Sequence, residues 1–231
     1  MMTTTQWMDV ISNNLANSAT DGYKADTLAF SDVMVKNLYA NGGHGPLIGS
    51  LGNGPEGVAN AIDRSVGTIK PTGNPLDCAI RTQQGMFAVQ QNGQTAYTRN
   101  GSFSLNSDRD LVTSQGQPVL DDRGQKITLP GTERVEIDAQ GQVHQGNSVV
   151  ATLGIFDGEF SKAGNNLWAS PNAKLLTNPS LAMGAIESSN VEAVQAMVDL
   201  IKIQRSFEMS QKSIQTQDEM TGKLFEILNR H

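Results

Sequence analysis

The residues with the most chemistry to offer fall between Gly52 and Cys78. Gly52, Gly54 and Gly57 spell G-x-G-x-x-G, and Asp77 follows twenty residues after the last of them. In a dinucleotide-binding unit such glycines let backbone amides approach a pyrophosphate, and the acidic residue holds a ribose hydroxyl. That chemistry needs a strand leading into the loop and a helix opening at its end. Here "GPLIGSL" leads in, Pro55 stands inside the pattern, and Gly67 and Pro71 break the chain soon after. The run therefore reads as linker. Cys78 is the only cysteine, so it makes no internal disulfide. The carboxylate of Asp77 beside it raises the thiol pKa, which disfavours a nucleophile. Leu76, Cys78 and Ile80 alternate in "PLDCAI", which predicts a small hydrophobe facing the core of a strand.

The remaining candidates are isolated. His44, His144 and His231 do not stand at metal-ligand spacing with each other or with Cys78. No serine sits in a G-x-S-x-G elbow. Asp121-Asp122 and Asp218-Glu219 read as solvated faces. Asn100-Gly101-Ser102 matches a glycosylation acceptor, but "MMTTTQWMDV" has neither a basic n-region nor an apolar h-region. It reads as turn chemistry instead. The expectation is no catalytic residue, no cofactor, no metal and no enzyme.

Composition agrees. The chain has 231 residues, enough for one large domain or one domain with an appendage. Charged residues are only 17% and aromatics 5%, which suits a turn-rich β body better than a charged helical protein. Net charge is −6 with no Lys/Arg cluster, which argues against nucleic acid as a partner. No run approaches the ~18 apolar residues of a membrane span, so direct membrane insertion is not expected.

The elements that must position any functional residue separate by period. Residues 1–40 read as an N-terminal helical segment, with Met8, Ile11 and Leu15 as one stripe and a turn at Asp21-Gly22. A second apolar set, Leu28, Phe30, Val33, Met34 and Leu38, has no clear period. Residues 41–57 read as a Gly-rich linker, and residues 58–180 as a β domain with hairpin turns at Asn92-Gly93 and Asn100-Gly101. Asp122-Arg123-Gly124 and Gln140-Gly141 offer further turns, and "SFSL", "KITL" and "RVEID" alternate like half-buried strands.

Residues 185–231 read as a long C-terminal helix, its helical pattern running over 189–228 with Ser189 or Asn190 as cap. Leu200, Ile203, Phe207, Ser210, Ile214, Gln217, Thr221, Leu224 and Leu228 form a heptad seam, and Val194, Met197, Val198 and Ile201 widen its first half. Such a helix would be ~60 Å long, more than the body behind it covers, so it needs an external partner. The fold class is therefore α+β: an all-β central domain plus N- and C-terminal helices.

Asn13, Asn14 and Asn17 crowd the first helix although Asn is a mediocre helix former. Two readings stand. Their amides bridge close-packed helices and set register, or they face solvent and cap an ordinary helix.

"MDVISNNLANSATDGYKADTLAF" resembles the N-terminal signature of bacterial flagellar rod and hook proteins, and "SSNVEAVQAMVDLIKIQRSFEMSQKSIQTQDEM" their C-terminal signature. "GNPLDCAIRTQQGMFAV" and "AYTRNGSFSLNSDRDLVTSQGQPVL" resemble the β domain that rod and hook proteins share. The resemblance implies that the terminal helices pair into a coiled coil and pack as the inner wall of a tube, with the β domain outside. It implies a self-assembling subunit of the basal-body rod, a torque-transmitting part of the axial drive shaft. Its partners would be copies of itself, other rod and hook proteins and the flagellar export apparatus. Its place would be the periplasmic rod, reached without a cleaved signal peptide. A single modest β region leaves the proximal rod protein of the F type and the distal rod protein of the G type, and "ESSNVEAVQAMVDLI" is nearer the F type. The resemblance also implies a longer helical stretch ahead of Met8 than the seven residues present.

On this reading the assembly interface is Met8, Ile11, Asn13, Asn14, Leu15, Asn17, Asn190, Val194, Leu200, Ile203, Phe207, Ile214, Leu224 and Leu228. The alternative is a secreted β-domain binding module on a helical oligomerisation stalk. Such a module should show a cleft lined by exposed Trp or Tyr, for which the β region offers Tyr97 and Trp168.

Overall fold

The computed structural model describes residues 2–30, 36–39, 47–51, 58–131 and 133–228. Gly52, Gly54, Gly57, His44 and His231 lie outside the described residues. The chain is α+β and divides into two compact units, each assembled from separate stretches of sequence.

The helical unit comprises Met1–Ala16, Asp26–Asp63 and Glu192–His231. Helix α1 spans Met2–Ala16 and helix α2 spans Ala193–Leu228. The two helices lie against each other, and α1 also meets strand Asp26–Phe30. The expected helical segment thus stops well short of residue 40. Asp26–Phe30 pairs antiparallel with Val58–Ile62, Asp26 opposite Ile62, and Lys36–Tyr39 pairs with Leu47–Leu51. The second apolar set had no helical period because part of it is strand. Part of the expected linker is strand as well, and the rest of 41–57 lies outside the described residues.

Helix α2 is a single rod of 36 residues, ~54 Å at 1.5 Å per residue. Its hydroxyls do not interrupt it. Ser210, Thr216 and Thr221 each donate to the carbonyl four residues back, at 2.8–2.9 Å. The helix opens at Ala193, later than the expected start, because Ala185–Glu187 is a strand.

The β body comprises Asn17–Ala25 and Arg64–Val191, a wider and less continuous span than 58–180. Its largest sheet is antiparallel, six strands in the order Ser161–Gly164, Leu167–Ala169, Gln94–Thr98, Met86–Gln91, Ile155–Asp157 and Lys174–Leu175. A three-stranded sheet runs Val135–Ile137, Gln142–Gln145, Ser148–Thr152. Two short ladders close the body at its chain ends: Cys78–Ile80 with Leu181–Met183, and Ile69–Pro71 with Ala185–Glu187. The main core gathers Ile80, Phe87, Val89, Leu111, Ile127, Leu129, Val143 and Ile155, with Phe87 edge-on to Phe103 at 5.1 Å.

Turn chemistry acts where expected with one exception. Asn92 and Gly93 take φ of 50° and 80° between Gln91 and Gln94, the two-residue hairpin that Asn-Gly predicts. Asp138 turns the next hairpin by accepting from the amides of Gln140 and Gln142. Asn100-Gly101 is not a hairpin. Asn100 Oδ1 accepts from the Ser102 amide, and Gly101 passes so close to Cys78 that a Cβ would strike the Cys78 carbonyl oxygen. Close approach, rather than a tight reversal, is what requires glycine there.

Candidate functional site

Cys78 is fully buried within strand Cys78–Ile80, and burial together with Asp77 pushes its thiol up to about 12. Asp77 is committed elsewhere, accepting from Thr72 Oγ1 at 2.6 Å and Asn74 Nδ2 at 2.8 Å. His144 contacts Asp138 at 2.9 Å on the three-stranded sheet. Among the described residues no three His, Cys, Asp or Glu side chains gather to hold a metal. Tyr97 and Trp168, the aromatics a glycan-binding cleft would expose, are both buried in the body.

What the body does build is a buried charge cluster on Glu187. This residue ends strand Ala185–Glu187 and is 1% exposed. Its Oε1 accepts from Lys24 Nζ at 2.5 Å and from the Gly67 amide at 2.8 Å. Its Oε2 accepts from Arg99 Nε at 2.7 Å. One buried carboxylate therefore faces two buried cations. The surplus positive charge is spread over carbonyl oxygens: Lys24 Nζ donates to Ser65, and the Arg99 guanidinium donates to Ile80, Thr82, Gln84 and Gly85. Removing the carboxylate from such a group strands its cations out of water, whereas the complete set is satisfied.

The stretch carrying Lys24 is shaped for this placement. Asn17 starts a turn that accepts the Thr20 amide at 3.1 Å, and Gly22 takes φ of 68°. A Cβ on Gly22 would come within 2.5 Å of the Arg99 and Asn100 backbone, so glycine is required on both counts. The Gly22 amide donates to the Glu187 carbonyl at 2.7 Å. Asn166 Nδ2 holds the Asp21 carbonyl, and Lys162 Nζ holds the Lys24 carbonyl while lying 4.3 Å from the Tyr23 ring centroid.

The expected interface residues disperse. Asn190 belongs to the body: its Oδ1 accepts from the Ala25 amide at 2.8 Å and its Nδ2 reaches Ser65 Oγ at 3.1 Å. It does not cap α2, which opens three residues later. Asn17 also belongs to the body. Asn14, on α1, is buried and pairs with the backbone of Asp26, its Oδ1 accepting the amide at 2.9 Å and its Nδ2 donating to the carbonyl at 2.7 Å. That is the pattern of a strand partner, supplied by a side chain at the first residue of Asp26–Phe30. Asn13 is exposed.

On the helices, Ile11 and Ile203 are buried, Met8, Leu15, Leu200 and Phe207 are half-buried, and Val194 and Ile214 are exposed. The side chains of Leu224 and Leu228 lie outside the described residues. Beyond Phe207, α2 carries Met209, Ile214, Met220 and Phe225 at 44–67% exposure. The charge cluster itself had no sequence signal beyond one: Glu187 closes the apolar run "LAMGAIE", where a lone carboxylate is out of place.

Three family profiles match in chain order. Residues 1–24 match "Flagella basal body rod protein", 80–145 match "Flagellar hook protein FlgE/F/G D1 domain", and 182–227 match "Flagellar basal body rod FlgEFG protein C-terminal". Lys24, Arg99 and Glu187 fall one in each. The chain is 32% identical to the flagellar basal-body rod protein FlgF of Caulobacter vibrioides, over 99% of this chain and 94% of that protein. It is 32% identical to FlgG of the same organism over 92% and 90%, and 32% identical to FlgG of Bacillus subtilis over 94% and 91%. Identity to the F and G types of one organism is thus the same.

Proposed function

The chain belongs to the flagellar basal-body rod protein family, and from that membership we propose that α1 and α2 are the assembly elements of a structural subunit of the rod. Its work is mechanical rather than enzymatic. The subunit is held among copies of itself and other rod and hook proteins, and carries torque along the axis. The observation that carries this reading is the second half of α2. Met209, Ile214, Met220 and Phe225 stand exposed on a helix that continues far past Ile203, the last buried residue among its described positions. Apolar area of this kind gains ~25 cal/mol per Å² when it is covered, and neighbouring helices would cover it. In the assembled rod, α1 and α2 pair as a coiled coil and pack with those of neighbouring subunits, in the periplasm, after passage through the flagellar export apparatus without a cleaved signal peptide.

The test is a double variant, Ile214→Glu with Phe225→Glu, in a strain lacking the native protein. The expected result is unchanged secretion level and unchanged melting of the purified subunit, with loss of rods and of swimming. Wild-type swimming would overturn the assembly role of α2.

A further inference from the structure

The stretch Asn17–Ala25 lies in sequence between two pieces of the helical unit, yet it folds as part of the β body. Its attachment is unusual for a body segment. The main core cluster, which runs from Cys78 to Leu181, includes no residue of this stretch. It does bury the Tyr23 ring, 5% exposed with Lys162 Nζ over it, and around that ring its contacts are polar. Gly22 N–H donates to the Glu187 carbonyl, Lys24 Nζ to the Glu187 carboxylate and Ser65, and Ala25 N–H to Asn190 Oδ1. Asn166 and Lys162 grip the Asp21 and Lys24 carbonyls from the sheet side.

On opening, water replaces the segment's hydrogen bonds and rehydrates the lysine, so the burial given up is chiefly that of the Tyr23 ring. A segment with several side chains in the main core cluster would lose more. If Lys24 leaves, Glu187 keeps Arg99 at 2.7 Å and the Gly67 amide, so the remaining site is a balanced pair and not a stranded charge. The two-cation, one-anion arrangement is therefore the one from which a lysine can depart without leaving an unpaired buried ion behind.

We infer that Asn17–Ala25 is a strap that opens and closes as a unit on an otherwise folded β body, with the Glu187 carboxylate as its catch. Opening converts a folded nine-residue path into free chain, which reaches up to ~30 Å when extended. The chain attached to the C-terminal end of α1 gains that slack while the sheets stay intact. Resting on the rod reading, this is the slack by which α1 can find its place among neighbouring helices before the strap locks.

Hydrogen exchange on the purified full chain tests the strap without reference to the rod. The Gly22 and Ala25 amides should exchange at least about tenfold faster than the sheet amides of Ala88 and Leu120, and in low urea their rates should be nearly flat, as sub-global opening requires. Two variants then address the catch. Glu187→Gln should speed Ala25 exchange at least tenfold with Ala88 unchanged. Gly22→Ala, which leaves every charge in place but cannot seat against Arg99, should do the same and settles the matter if Glu187→Gln does not fold. Strap amides that exchange only with the sheet amides, along the same urea slope, would overturn the proposal. So would a folded Gly22→Ala protein with wild-type exchange at Ala25. Normal strap exchange kinetics in a protein that builds no rod would instead sink the rod reading and leave the strap standing.

Discussion

Lys24 and Glu187 meet at 2.5 Å across 163 residues of sequence, and both side chains are almost completely buried. The pair ties the end of the first matched family region to the start of the last, with Arg99 from the middle region on the other carboxylate oxygen.

The first prediction follows from the asymmetry of that cluster. Glu187→Ala leaves Lys24 and Arg99 buried with no anion and should cost about 3–5 kcal/mol. Lys24→Met leaves Glu187 paired with Arg99 and should cost less, about 1–3 kcal/mol. Urea denaturation of the two variants against the parent chain checks the order. Equal costs would mean that Arg99 alone does not sustain the carboxylate.

The second concerns where the body can be cut. A fragment of residues 58–180 looks self-sufficient, since its turns and alternating strands are local. It lacks Lys24, Glu187 and the strands Leu181–Met183 and Ala185–Glu187, which pair with Cys78–Ile80 and Ile69–Pro71. Arg99 would then be left with no carboxylate. Calorimetry should show no cooperative transition for 58–180 and a sharp one for 17–191.

The third separates the asparagines. Leucine in place of Asn14 raises helix propensity, yet it removes two hydrogen bonds to the Asp26 backbone. The net effect should be a loss of about 1–3 kcal/mol, read as a lower far-UV melting temperature of the helices. Asn13→Leu, at an exposed position, should be within about 0.5 kcal/mol of the parent. Loss of swimming in a stable Asn13→Leu protein would assign Asn13 a role between subunits.

The fourth uses Cys78. Its thiol ionises at about 12 in the folded chain against 9.0 in its ordinary state, raised by burial and by Asp77. Unfolding between those values releases a proton, so stability is full below pH 9 and falls as pH rises toward 12. Comparing the chain with Cys78→Ala isolates this from other alkaline titrations. The variant should cost ~1–2 kcal/mol at neutral pH and lack that part of the alkaline decline. In the folded protein a thiol reagent at pH 8 should find Cys78 unreactive.

Period and local chemistry are properties of neighbouring residues, and what depends on them was legible in the sequence. The stripe of Met8, Ile11 and Leu15 marks a helix, and α1 covers it. The Pro-free run after Glu192 marks α2, and Asn92-Gly93 marks its hairpin. The β character of the centre was equally plain from alternation. Leu28 and Phe30 had no such clarity, because a short apolar run suits either state until its partner is known. That partner is Val58–Ile62, about thirty residues on.

The cluster on Glu187 belongs wholly to tertiary structure. Charged residues in a sequence have no period that distinguishes a solvated lysine from a buried one, and Lys24 follows directly on the Asp21-Gly22 turn. Asn14 was visible as unusual and Asn190 as a candidate helix cap, but neither as a partner of Asp26, Ala25 or Ser65. An amide or a carboxylate is satisfied by whatever donor the closed chain brings within 3 Å. Which donor arrives is decided by the long-range ladders that close the body, and not by the residues beside it.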